Sequence, residues 1–283
     1  MIRAVDSHLH VVDPRRFPVV PGVGYTPASP REWGTLEDME KVFGENGITH
    51  ALIVQPSCYG FDNSCMLDAI ARGGGRYRGI AVVDPASPAD ELDRLVRQGI
   101  VGVRLNMMQS DPDSLARPEV ETFLAEVRRL GWFLQVFADG AKWERHAERL
   151  AATGLKVMVD HFGAPDCTRG VDQPGFQAVL RAARAAGNWT VKLSAPFRVS
   201  KSYPDFGDLD PFVAELVAAF GTDGCVWGSD WPYLNVRREV FYPDVLRAVA
   251  RWFPGDEERR RLMRDNPARL FGFDAAPGPM TRP

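Results

Sequence analysis

The stretch RGIAVVDPASPADELDRLVRQGIVGVRLN, residues 78–106, contains one full turn of the pattern that decides the fold. It opens on a short apolar run, Ile80 to Val83, and passes a polar turn. From Ser87 it enters a segment in which Leu92, Leu95 and Val96 recur at helical spacing. Ser87 or Pro88 opens that helix and Gly99 closes it. A second apolar run ends in GVRLN. Two apolar strands flanking a helix imply parallel pairing, because the crossover must lay its helix on the sheet.

The same unit repeats outward in both directions. The strand candidates are RAVDSHLHV, HALIVQP, RGIAVVD, GVRLN, WFLQVFA, KVMVDHF, WTVKLSA and CVWGSDW. Helix candidates between them include TLEDMEKVFGENG, RPEVETFLAEVRRLG, AKWERHAERLAATG and QPGFQAVLRAARAAG. Eight such units predict an α/β protein, a single (β/α)8 TIM-type barrel over residues 1–273. An open doubly wound sheet is the weaker alternative, since no GxGxxG turn follows any strand. The proline- and glycine-rich residues from Asp13 to Trp33 predict an inserted loop after the first strand. Residues 274–283 predict a flexible tail.

The chain has 283 residues, which suits one barrel of about 250 residues with its loops. Its formal charge of −3 provides no field for nucleic acid or a membrane surface, so neither is expected as a partner. Cys58, Cys65, Cys167 and Cys225 show no metal-ribbon spacing and are expected to be reduced and mostly buried. No secretory leader pattern opens the chain and no apolar run approaches 18 residues, so a cytoplasmic location is expected. Seven tryptophans and sixteen phenylalanines leave the oligomeric state open.

In this fold reactive groups project from the C-terminal ends of strands. Strand one ends with His8 and His10, which alternate onto one side. Strand two ends with Gln55, then Ser57. Strand four offers Arg104 and Asn106, and strand five Gln135 and Phe137. Strand six presents His161. Strand seven carries Lys192 and Ser194, with Arg198 beyond, and strand eight presents Asp230. A single polar residue at a strand end is usually a loop anchor. Five or more converging on one mouth point to a site. Arg104 and Arg198 each suit a substrate carboxylate or a neighbouring acid, and Lys192 suits a structural pair. His50 begins a strand and belongs to the opposite face. His146 lies in a helix and is expected to be solvated.

His-x-His on strand one, a histidine on strand six and an aspartate on strand eight resemble the amidohydrolase superfamily. Within it the chain is most similar to the amidohydrolase-2 branch and its pyrone dicarboxylate lactonases. The resemblance spans nearly the whole chain. It rests on DSHLHV, GYTP, VQPSCYGFDN, GVRLN, LGW, VDHFGAPD with TRGVDQPGF, KLSAP, VWGSDWP and DNPARLFGF. It implies that Asp230 activates the hydrolytic water and that His8, His10 and His161 surround the scissile carbonyl. It also implies that Arg104 and Arg198 grip carboxylate, with Tyr25 and Ser57 as smaller contacts. Gln55 and Asn106 join the expected substrate contacts from their strand ends.

The departures bear on substrate. Basic residues of those lactonases have no counterpart near Ser110 and Ala164, a tyrosine appears as Phe137, and a histidine as Tyr233. Fewer positive charges point to a lactone with one carboxylate. The expected partner is therefore a small anionic lactone or carboxylate. The resemblance implies no cofactor. The alternative is a divalent metal, zinc or manganese, on His8, His10 and Asp230, in a hydrolase or a decarboxylase of a small carboxylic acid. A guanidinium in the same mouth weighs against a dication. A binding protein without catalysis would have lost Asp230 or the paired histidines. A serine esterase would need a GxSxG elbow, and none is present.

Overall fold

The computed structural model describes residues 1–27, 29–108, 115 and 118–273, and the expected tail lies outside them. Eight parallel strands pair in chain order: β1 Val5–Leu9, β2 His50–Val54, β3 Tyr77–Ala81, β4 Ile100–Asn106, β5 Phe133–Phe137, β6 Lys156–Val159, β7 Thr190–Ser194 and β8 Cys225–Gly228. The eight sequence runs all form strands. Around them lie α1 Leu36–Asn46, α2 Ser64–Arg72, α3 Ala89–Arg97, α4 Pro118–Arg129, α5 Gly140–Ala152 and α6 Pro174–Ala186. The short α7 Pro196–Val199, α8 Asp210–Phe220, α9 Tyr242–Trp252, α10 Asp256–Arg260 and α11 Asn266–Phe271 follow. This is a (β/α)8 barrel.

Local chemistry sets the element ends. Thr35 and Asp38 cap α1 reciprocally, each side chain taking the other's backbone N–H at 3.2 Å. The helix stops at Gly47, whose φ of 71° suits a residue without a Cβ. At the seam where β8 meets β1, Asp230 N–H donates to the His8 carbonyl at 2.7 Å and His10 N–H to the Trp231 carbonyl at 2.8 Å. Gly228 allows this approach. A Cβ there would lie 2.6 Å from the backbone N and Cβ of His8.

The barrel interior has two layers. Leu52, Val54, Ile80, Phe133 and Met158 fill the lower one, closed from below by Phe271 of α11. Each such burial is worth about 1.5–3 kcal/mol. Two residues further along two of these strands, on the same face, the side chains turn polar, Gln135 after Phe133 and Asp160 after Met158, and Lys192 of β7 joins them. All three are buried.

One expectation is corrected. His146 is buried, because with Trp143, Ala147 and Leu150 it lies on the inward stripe of α5. Cys58, Cys65 and Cys225 are buried and Cys167 is half-buried, all four as free thiols. Among the described residues no helix is long and apolar enough to cross a membrane. The loop after β1 is pinched at its base, where Val12 and Gly34 exchange two backbone hydrogen bonds of 2.8 and 3.0 Å.

Candidate active site

At the C-terminal mouth a cavity of about 210 Å³ is lined by His10, Tyr25, Ser57, Arg104, Asn106, His161, Arg198 and Asp230. Pro56, Met108, Phe137, Leu234 and Asn235 complete its wall. His8 lies just beneath, fully buried, with Nε2 3.5 Å from Asp230 Oδ1. Larger depressions of about 430 and 540 Å³ lie on the outer helices and at the opposite barrel face, away from this constellation. Gln55 does not line the cavity. Its Nε2 donates to the Gly60 and Asp62 carbonyls at 3.2 and 2.7 Å, which anchors the β2–α2 loop.

Backbone strain aims two of the groups. His161 has φ 49° and Asp230 has φ 64°, both in the left-handed region that side chains other than glycine seldom occupy. Such residues persist where the surrounding structure over-determines them, often at sites of chemistry. Ser194 at the end of β7 lies 2.9 Å from His161 Nδ1 and holds the ring. Phe137 packs its edge against His161 at 5.0 Å between centroids, and Arg104 lies over the Phe137 ring.

Two buried carboxylates organise the charges. Asp230 Oδ2 accepts from Arg198 Nε at 2.5 Å, and Arg198 Nη2 donates to the Leu234 carbonyl. Asp230 Oδ1 faces His10 Nε2 at 3.3 Å. Burial alone would raise the Asp230 carboxyl. The Arg198 guanidinium, with the imidazoles around it, outweighs burial and holds it well below the usual carboxylate range. Asp160, at the end of β6, accepts from Arg104 Nε at 3.2 Å and from Gln135 Nε2 at 2.9 Å. Burial opposes its ionisation too, and His8, Lys192 and Arg104 together drive it below the carboxylate range.

Two of the site histidines are held toward the neutral form. Burial, then the Lys192 charge, holds His8 well below an ordinary imidazole, and burial brings His161 down to about 4. Burial likewise brings Lys192 down to about 7 against the pull of Asp160. His10 Nδ1 lies 2.7 Å from the Val54 carbonyl, which can only accept, so this nitrogen carries a proton. That leaves Nε2 as the His10 nitrogen turned toward Asp230 Oδ1.

Sequence reasoning missed the Asp160 network and Asn235. Asp160 stands next to His161 in VDHFG, and its place two residues after inward Met158 was the available signal. Asn106 Nδ2 donates to Ser57 Oγ at 3.3 Å, joining two expected contacts in one wall. Of the positions where basic residues were expected to be lacking, Ser110 lies outside the described residues and Ala164 is in a left-handed turn.

The structure thus brings together His8, His10, His161 and Asp230, the residues that carry the resemblance to the amidohydrolases. The family profile for amidohydrolases matches residues 5–273. The chain belongs to the amidohydrolase-2 family. This amidohydrolase is 32% identical over 282 residues to the 2-pyrone-4,6-dicarboxylate hydrolase of Comamonas testosteroni, covering 95% of this chain and 90% of that one. It is equally 32% identical over 276 residues to the 4-sulfomuconolactone hydrolase of Hydrogenophaga intermedia, covering 94% and 88%. Among solved structures, a probable 2-pyrone-4,6-dicarboxylic acid hydrolase of Acinetobacter baumannii with citric acid bound superposes with a TM-score of 0.87. The identity there is 28%, over 95% of this chain and 99% of that one. A zinc-bound amidohydrolase of Burkholderia multivorans, at TM-score 0.73 and 18% identity over 95% and 99% of the chains, shares the fold alone. The amidohydrolase described here is an enzyme, and its curated relatives share lactone chemistry.

Proposed function

We propose that this amidohydrolase opens a small carboxylated lactone, of the 2-pyrone carboxylate kind, by attack of water on the ring carbonyl. The observation that carries this reading is Asp230 Oδ1, buried without a hydrogen-bond partner and facing His8 and His10 on the floor of a cavity bearing two arginines. Asp230 takes a proton from water as the water oxygen bonds to the carbonyl carbon. Neutral His8 and His161 give N–H bonds to the carbonyl oxygen as it becomes negative. When the tetrahedral adduct collapses, the ring C–O bond breaks and Asp230 returns the proton to the leaving oxygen.

Arg104 and Arg198 hold the ring by its carboxylate, with Ser57, Asn106 and Tyr25 as neutral contacts. Among the described residues Arg104 spends only Nε, on Asp160, which leaves both terminal nitrogens for substrate. Arg198 keeps less, because Nε is held by Asp230 and Nη2 by Leu234. A carboxylate that draws Arg198 away would also release Asp230 from its ion pair and make it a stronger base. No other lysine or arginine among the described residues lines the cavity, which favours one carboxylate over two. Equal kcat/KM for 2-pyrone-4,6-dicarboxylate and its monoacids would refute that preference.

A second reading has its own support. Donor atoms of His8, His10 and Asp230 lie within 4.8 Å of one another, and the proton on His10 Nδ1 frees its Nε2 to ligate. These three residues would hold a zinc or manganese ion, which would polarise the carbonyl and acidify the water. The Arg198 guanidinium at 2.5 Å from Asp230 opposes a dication there. Metal content by plasma mass spectrometry, with pyrone carboxylate hydrolysis assayed on the same chelator-free sample, separates the two. One equivalent of metal, with activity lost on its removal, would replace the unassisted mechanism. Absence of hydrolysis of any carboxylated lactone would overturn both.

A further inference from the structure

We propose that Lys192 is a positioning residue that fixes the tautomer of His8, keeping the proton of that imidazole on Nε2, where it faces the reacting carbonyl. The inference rests on the reading of His8 as an oxyanion donor given above.

Lys192 reaches into the barrel from β7. Its Nζ donates to Gln135 Oε1 at 2.6 Å and lies 3.3 Å from His8 Nδ1. Gln135 is itself oriented by Asp160, which takes its Nε2 proton and so turns the amide oxygen toward the lysine. As an ammonium Lys192 can only donate, and Nδ1 is then its acceptor. A ring nitrogen that accepts carries no proton, so a neutral imidazole must hold its one proton on the other nitrogen. Asp160 Oδ1 also lies 3.2 Å from Nδ1, yet no hydrogen bond reaches that oxygen among the described residues. Lys192 is thus the hydrogen-bond partner of Nδ1. His8 Nε2 is buried and unpartnered, a donor aimed into the site.

His10 is held the other way round. Its Nδ1 proton goes to the Val54 carbonyl, so whenever that ring is neutral its Nε2 bears the lone pair. The two rings stand 5.2 Å apart at 88°, presenting one N–H and one lone pair to the same side. A clamp on one cation through both Nε2 atoms needs two lone pairs. Lys192 withholds one of them.

The test uses the full chain labelled with 15N-histidine, with the His8 signals assigned through His8→Gln and read in long-range 1H–15N spectra. The expected result is an Nε2–H pattern for His8 in the native protein. In Lys192→Met it becomes an Nδ1–H pattern, because Asp160 Oδ1 is then the nearest acceptor. Zinc titrated into both proteins should bind the variant at least about tenfold more tightly. Turnover of a pyrone carboxylate by the variant should fall about a hundredfold in kcat, with KM within about twofold. An Nδ1–H pattern in the native protein overturns the proposal, as does an unchanged pattern or unchanged zinc affinity in Lys192→Met. If the variant does not fold, the native spectrum still decides. A native protein with the expected tautomer but no lactone hydrolysis would sink the functional reading and leave the role of Lys192 standing.

Discussion

The two ends of this barrel handle polar groups in opposite ways. At the lower end the interior is Leu52, Val54, Ile80, Phe133 and Met158, plugged by Phe271. The charges there stay outside and are occupied. Arg78 lies over the Phe273 ring and donates to the Gly272 carbonyl, and His50 meets Phe273 edge-on. At the upper end Asp160, Lys192, Asp230 and His8 are buried together, and among the described residues His8 Nε2, Asp160 Oδ1 and Asp230 Oδ1 lack hydrogen-bond partners. Buried polar atoms without partners cost about 1–3 kcal/mol each. The lower layer supplies the stability that allows the upper one to hold reactive groups in readiness.

The sharpest break of this comparison comes at the mouth. Asp230→Asn should lower kcat by about a thousandfold, with a native far-ultraviolet dichroism spectrum. Near-native turnover would remove Asp230 as the base under either reading. At the lower end Met158→Ala should cost about 3 kcal/mol of unfolding free energy in a urea titration. Its kcat should stay within about twofold, and a large kcat loss would show that the layers are not separable. Arg198→Ala should raise KM by about tenfold or more in steady-state assays, and an unchanged KM would make the residue structural. For pH, an ordinary histidine would lose its neutral form below 6.5. His161 is held to about 4, so the acidic limb of kcat/KM should lie near pH 4. An inflection near 6.5 would mean that this ring is not buried as described. The smallest effect is at the base, where Arg78→Ala should cost no more than about 1 kcal/mol in the same urea titration.

Much of the architecture was legible because parallel strands buried on both faces read as continuous apolar runs, as ALIV in β2 and VMV in β6 do. Helix ends were legible where capping chemistry is local, as at Thr35 with Asp38 and at Gly187 after α6. Site residues at strand ends were legible for the same reason: the fold rule gives their position, and His8, His10, His161, Arg104, Arg198 and Asp230 do converge. What was hidden depends on partners across the barrel. Gln55 read as a substrate contact because its strand-end position matched the others, yet the Gly60 and Asp62 carbonyls claim its amide. Asp160 was overshadowed by its neighbour His161, and no local pattern pairs it with Arg104, 56 residues away. The left-handed backbone at His161 and Asp230 carries no glycine to announce it.

The bridge between Val12 and Gly34 has a bearing on how such a barrel acquires new substrates. An excursion tied off at its base by two backbone hydrogen bonds is a cassette: its length and sequence can drift without disturbing the register of β1 or the histidines on it. Tyr25, carried by that cassette, lines the cavity, while Asp230 and the paired imidazoles belong to the frame. Diversification among relatives can therefore proceed by exchanging the wall over an unchanged floor. Grafting residues 13–33 from a relative of different preference is the direct way to retune this enzyme.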